Sequence, residues 1–268
     1  MRTNILFLLT LGVYTAISFS SCRKEGCTDP AANNYDEEAK LDDNSCTYDP
    51  TTGELTVAFQ LKNGSTALSM GDSYTDTDGN TVKVERCKFF VNNVSLIASD
   101  NSLVPVTDIE LIDFEEGETS FSMNVEPGTY TGLSFYVGVD SALNATDPAT
   151  YESSHPLSTF NDMYWTWATM YRFVIYEGKA DPAGGSNFTE NFVYHTGTNA
   201  LYSDEVQVTQ AINLAAGGSA TQNITINANK VFHGTTDVID VTTDNNTHTM
   251  DDMPLAVRFM DNFVDALE

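Results

Sequence analysis

From Gly53 onward the hydrophobic residues return at every second position. Leu55-Thr56-Val57-Ala58-Phe59-Gln60-Leu61, Phe121-Ser122-Met123-Asn124-Val125 and Asn223-Ile224-Thr225-Ile226 all alternate, each run bounded by Gly, Asn, Asp or Pro. Successive side chains on a strand point to opposite faces, so this period places one apolar face on a core and leaves the other in water. Further runs at 82–97, 104–113, 130–139, 171–177, 206–214 and 236–241 bring the total to about nine or ten strands at the spacing of a sandwich or barrel. The expected fold class is all-β, an antiparallel β-sandwich. One segment has a different period: Leu255, Phe259, Phe263 and Leu267 recur at steps of four behind Asp251, Asp252 and Pro254, which predicts a short amphipathic C-terminal helix.

Three polar, turn-rich stretches interrupt the strands, at 140–163, 179–190 and 242–252. Loops of that length on a rigid scaffold are where binding residues usually sit. Asp76-Thr77-Asp78-Gly79-Asn80 resembles part of a calcium loop, but its Gly falls too early, and Asp-Gly-Asn between alternating segments predicts a hairpin turn. The Asn-x-Ser/Thr sequons carry little information.

Charge narrows the partners. With 38 Asp and Glu against 12 Lys and Arg, the formal net charge is −26, which would repel nucleic acid and anionic lipid alike. Hydrophobic residues at 41% and aromatics at 11% exclude global disorder. There is no GxSxG elbow, Walker A loop, HExxH, CxxC or Rossmann fingerprint. No catalytic residue is assigned, and the chain is expected not to be an enzyme.

The first 22 residues, MRTNILFLLTLGVYTAISFSSC, combine Arg2, an apolar run from Ile5 to Ile17 and small residues up to Cys22. That pattern predicts a signal peptide over 1–21, too short for a membrane span of ~20 apolar residues. Phe19-Ser20-Ser21-Cys22 resembles a lipobox of the type found in Bacteroidota lipoproteins, which makes Cys22 the expected lipidation site and a lipid anchor the only membrane contact. The expected location is the cell envelope, at the outer membrane, facing the periplasm or the surface. Cys22-Arg23-Lys24-Glu25 weakly resembles a surface-sorting signal and leaves the face open.

Residues 22–50 form a separate acidic module with almost no aliphatic content. With Cys22 lipidated, Cys27 and Cys46 are left to staple it in an oxidising compartment, and Cys87, on a predicted strand, reads as a buried thiol. The string GCTDPAANNYDEEAKLDDNSCTY resembles a short module of the form GCTDPxAxNYxxxAxxDDGSC found near the start of many secreted bacterial proteins. Asp29, Asp36, Asp42 and Asp43 are candidate calcium ligands, since Ca²⁺ prefers hard oxygen donors. The alternative is a solvated acidic spacer.

Residues 51–268 hold the rare side chains: Trp165 and Trp167, and His155, His195, His233 and His248, with Met163, Met170 and Met250 close by in sequence. Imidazole with thioether suits copper, which tops the divalent affinity series and takes soft ligands as Cu(I). Were the aromatic block a continuous strand, Trp165, Trp167, Tyr171 and Phe173 would share one face, usually a core stripe.

HPLSTFNDMYWTWATMYRFVIYEG (155–178) resembles the signature of the MbnP-like family. KFFVNNVSLI (88–97), LIDF (111–114), PGTYTGLSFYVGVDSALN (127–144), FVYHTGTN (192–199) and HTM (248–250) match in order. The resemblance implies a secreted or periplasmic β-sandwich of a methanobactin-associated, copper-binding family. It also implies His155, His195 and His248 as the copper ligands, and Trp165 or Trp167 as a residue oxidised to kynurenine by a diheme partner of the cytochrome c peroxidase type. His233 matches no motif of the family. The competing expectation is a metal-free surface module that binds carbohydrate or protein.

Overall fold

The computed structural model describes residues 23–165 and 169–268; the 1–21 leader, Cys22 and Trp167 lie outside the described residues. The chain divides into two compact units, with the boundary between Asp49 and Pro50.

In the first unit a disulfide joins Cys27 to Cys46, and Glu25–Gly26 pairs in parallel with Leu41–Asp42. Its carboxylates serve turns. Asp29 accepts from the Ala31 amide at 2.9 Å and the Tyr48 hydroxyl at 2.6 Å. Asp36 accepts from the Glu38 amide at 3.0 Å and pairs with Lys24 at 2.8 Å. Asp42 and Asp43 accept from the amides of Asn44 and Ser45, each at 3.0 Å. Each side chain closes its own local turn instead of facing a common centre. No group of three or more His, Cys, Asp or Glu side chains gathers to hold a metal among the described residues, so the calcium reading gains no support.

The second unit is an all-β sandwich. Its main strands are β1 (Gly53–Asn63), β2 (Thr81–Ala98), β3 (Leu103–Asp113), β4 (Ser120–Val125), β5 (Gly128–Val137), β6 (Met170–Asp181), β7 (Glu190–Gly197), β8 (Val206–Val208), β9 (Ile212–Leu214) and β10 (Ser219–Asn227). The larger sheet runs in the order β8-β5-β2-β6-β7, ending on the two-residue segment Asn246–Thr247; β3 also pairs with β2, and β9 with β5. The smaller sheet sets β1 between β10 and β4.

Alternation drives the packing. Leu55, Val57, Phe59 and Leu61 on β1 are buried while the residues between them are not. From the smaller sheet, the Phe59 ring meets Phe89 of β2 edge-on at 5.3 Å and Phe135 of β5 at 6.1 Å, and so joins the two sheets. The C-terminal helix, Met253–Asp265, is capped by Asp252, which accepts from the Leu255 amide at 3.0 Å. Its apolar face covers the larger sheet: Phe259 stacks on Tyr194 at 4.7 Å and Phe263 meets Phe89 at 5.2 Å. Cys87 is fully buried, and that burial pushes its thiol pKa up.

Three local expectations change. β10 runs parallel to β1; a strand reached by a long excursion is not bound to the antiparallel geometry a short hairpin imposes. The run at 206–214 is two short strands, both on β5. Residues 236–241 form no strand: Ile239 and Val241 are buried, but Val238 is exposed and Asp240 turns the chain by accepting from the Thr242 amide. The Asp76–Asn80 segment is the hairpin turn between Ser73–Thr75 and β2, with Asp76 accepting from the Asn80 amide at 2.8 Å.

Phe259 ties the helix to both Tyr194 and Tyr176. Phe259→Ala should lower unfolding stability by about 3–5 kcal/mol, measured by chemical denaturation at neutral pH; a loss under about 1 kcal/mol would show that the helix contributes little to the core.

Candidate metal centre

Strand register assembles a polar row across the larger sheet. On β6, Glu177 lies directly opposite Arg86 of β2, and on β7, His195 lies opposite Ile175, one step of two from Glu177 and on the same face. The side chains meet accordingly: the His195 Nε2 is 2.6 Å from the Glu177 Oε1, and Arg86 reaches that same oxygen at 3.5 Å. Arg86 also pairs with Glu115 at 2.7 Å and Asp162 at 3.3 Å.

Thr247 pairs in parallel with Tyr194, which brings the next residue, His248, beside His195. The Thr249 hydroxyl donates to the His195 carbonyl at 2.9 Å and ties the segment down. Asp251 accepts from the His248 amide at 2.6 Å and faces its Nδ1 at 3.2 Å. The two imidazoles stand perpendicular with centroids 5.0 Å apart.

Trp165 supplies the third ring. Tyr164 pairs with Tyr171 and Trp165 with Met170, so the chain doubles back here. Trp165 therefore does not share a continuous strand with Tyr171 and Phe173, which corrects the single-face expectation. The fold-back sets the indole 5.4 Å from the His195 ring and 5.8 Å from the His248 ring. The Arg172 guanidinium lies 5.1 Å from the indole centroid, a cation–π contact, and Arg172 pairs with Asp162 at 3.1 Å.

His195 is buried, and among the described residues its Nδ1 has no hydrogen-bond partner. Desolvation lowers its pKa, with Glu177 opposing but not reversing the shift. The hydrogen bond from His195, with help from Arg86, holds the Glu177 carboxyl below its ordinary value against its own burial. A carboxylate only accepts, so Nε2 carries the ring proton and Nδ1 keeps a lone pair. The ring is thus a neutral nitrogen donor.

His155 makes its own contacts. Its ring stacks on Tyr151 at 4.1 Å, and its Nδ1 accepts from the Leu157 amide at 3.1 Å. The structure brings together His195, His248 and Trp165 and does not assemble a three-histidine cluster among the described residues. His233 lies at the Asp76–Asn80 turn, with its Nε2 3.7 Å from Asp78 and 4.0 Å from Asp76. Sequence reasoning missed Glu177, Arg86 and Arg172. The available signal was a lone acid closing the apolar run Phe173-Val174-Ile175-Tyr176.

An imidazole pair walled by an indole on a β-sandwich defines a candidate metal-binding domain. Residues 52–251 match the family model described as MbnP, and the chain belongs to the MbnP family. Among solved structures, MbnP from Methylosinus trichosporium aligns over 76% of this chain and 87% of its own length, at 16% identity and a TM-score of 0.49. No curated protein matches the chain.

The neutral state of His195 has a consequence for pH. Below the ordinary histidine value of 6.5 the unfolded chain takes up a proton at this position that the folded chain resists, so stability is lost there as the pH is lowered and is unaffected above that value. Glu177 acts in the same sense only below its ordinary value of 4.5, outside that window. Thermal melts between about pH 7 and 5 should therefore show a shallower decline for His195→Gln than for the native protein; equal slopes would contradict the assignment.

Proposed function

We propose that residues 51–268 form the copper-binding domain of an exported, lipid-anchored protein that serves copper acquisition, storage or delivery and is not an enzyme. The observation that carries this reading is the convergence of His195, His248 and Trp165 from three separate segments, with a buried imidazole nitrogen left unpartnered among the described residues. A buried lone pair without a donor is costly unless something occupies it. Imidazole nitrogen suits copper above other divalent ions, and membership of the MbnP family supports a copper-related role. The residues fit a mononuclear site: His195 and His248 would hold the ion, and it would supply the protein's cargo, not a reaction step. Trp165 or Trp167 is the candidate for oxidation to kynurenine by a diheme partner. Cys22 is the proposed anchor.

The competing carbohydrate reading needs an exposed aromatic face. Trp165 is partly buried and packs against His195, His248 and Arg172, which favours the metal.

Equilibrium dialysis of the chain from residue 22 against limiting Cu(I), and separately Cu(II), should give stoichiometric binding. His195→Ala and His248→Ala should each weaken it at least about tenfold, while His155→Ala should leave it within a few-fold. Absence of copper from the native protein would overturn the reading, and an equal loss in His155→Ala would put that residue in the site. Intact-mass analysis of protein from its native host would report any Trp oxidation, and Cys22→Ser should release the protein from membranes.

A further inference from the structure

We infer that Glu177 is the positioning residue of this centre: it fixes the His195 tautomer so that Nδ1, and not Nε2, is the nitrogen offered to the metal. The inference rests on the copper reading above and goes beyond it by naming the ligand atom and the residue that selects it. Three independent features converge on it. The Nε2-to-carboxylate contact is short, at 2.6 Å. Nδ1 is buried and has no hydrogen-bond partner among the described residues. The register sets Glu177 between Arg86 on β2 and His195 on β7, so Arg86 holds the carboxylate from the opposite side at 3.5 Å.

A metal at Nε2 would have to displace that contact and leave Glu177 without its nearest partner. A metal at Nδ1 would break no hydrogen bond among the described residues. Coordinating histidines commonly donate their other ring N–H to a carboxylate, which sets the tautomer and raises the basicity of the ligating nitrogen. His248 carries the opposite arrangement: Asp251 faces its Nδ1 at 3.2 Å, which leaves Nε2 as its donor. The two rings therefore present different nitrogens. On this inference Glu177 does not ligate the ion.

The first test needs no copper. Long-range proton–nitrogen NMR of the metal-free chain from residue 22, labelled with nitrogen-15, should show the His195 proton on Nε2. In Glu177→Leu the tautomer preference should be lost, whereas Glu177→Gln, whose amide oxygen still accepts, should keep it. A proton on Nδ1 in the native protein would overturn the inference. The second test titrates Cu(I) against a competing chelator. Glu177→Leu should weaken binding roughly 10- to 100-fold and Glu177→Gln much less, with thermal melts confirming that both variants fold. If His195→Ala abolishes binding but Glu177→Leu does not change it, the positioning role fails and the copper site stands. If the native protein binds no copper, the copper reading fails, and the positioning role fails with it.

Discussion

The pairing of β6 between β2 and β7 is the constraint on which the candidate centre depends. A register on a strand cannot slip by one residue without turning every side chain to the other face, so the burial of Val174 and Tyr176 fixes the positions of Ile175 and Glu177 at the same time. Arg86, Glu177 and His195 then meet without any loop having to place them. Gly178 shows how tight the arrangement is: a Cβ there would come within 2.1 Å of the Lys83 carbonyl and 2.4 Å of the Phe192 ring, and the β2 register shifts at this step.

Charges this close to a core need partners. Arg172 is almost fully buried and answers to Asp162, while Arg86 answers to Glu115, Asp162 and Glu177. Removing Asp162 would leave the buried Arg172 guanidinium without its carboxylate partner, which costs more than the pair contributes. The network is therefore better understood as holding geometry than as adding stability. Asp162 links the two guanidiniums, and through Arg172 it connects the indole to the same row of charges that reaches His195.

Much of the fold was legible because period two is a local signal. Leu55 to Leu61 declared its buried face without reference to any partner, as did Leu255, Phe259 and Phe263 on the helix. Partner choice was not legible: nothing in 219–227 states that it lies parallel to β1, and 236–241 has strand composition but turns at Asp240. The same division holds at the centre. His195, His248 and the tryptophans stood out as rare residues, whereas Glu177 was one of 38 acids and gained meaning only from pairing with a strand about ninety positions earlier in the chain. His155 shows the converse. Its motif suggested membership of the centre, but its ring is engaged by Tyr151 and the Leu157 amide.

The segment that carries His248 also has an architectural effect. Asn246–Thr247 lies against β7, the last main strand on that side of the larger sheet, and pairs there with Val193 and Tyr194. An uncovered edge offers unpaired amides and carbonyls to any neighbouring strand and invites edge-to-edge association. This short parallel cover blocks that register beside the candidate centre. Completion of the ring cluster and protection of the sheet from self-association thus depend on the same few backbone hydrogen bonds, so disorder in this loop would expose a sticky edge as well as separate the two imidazoles.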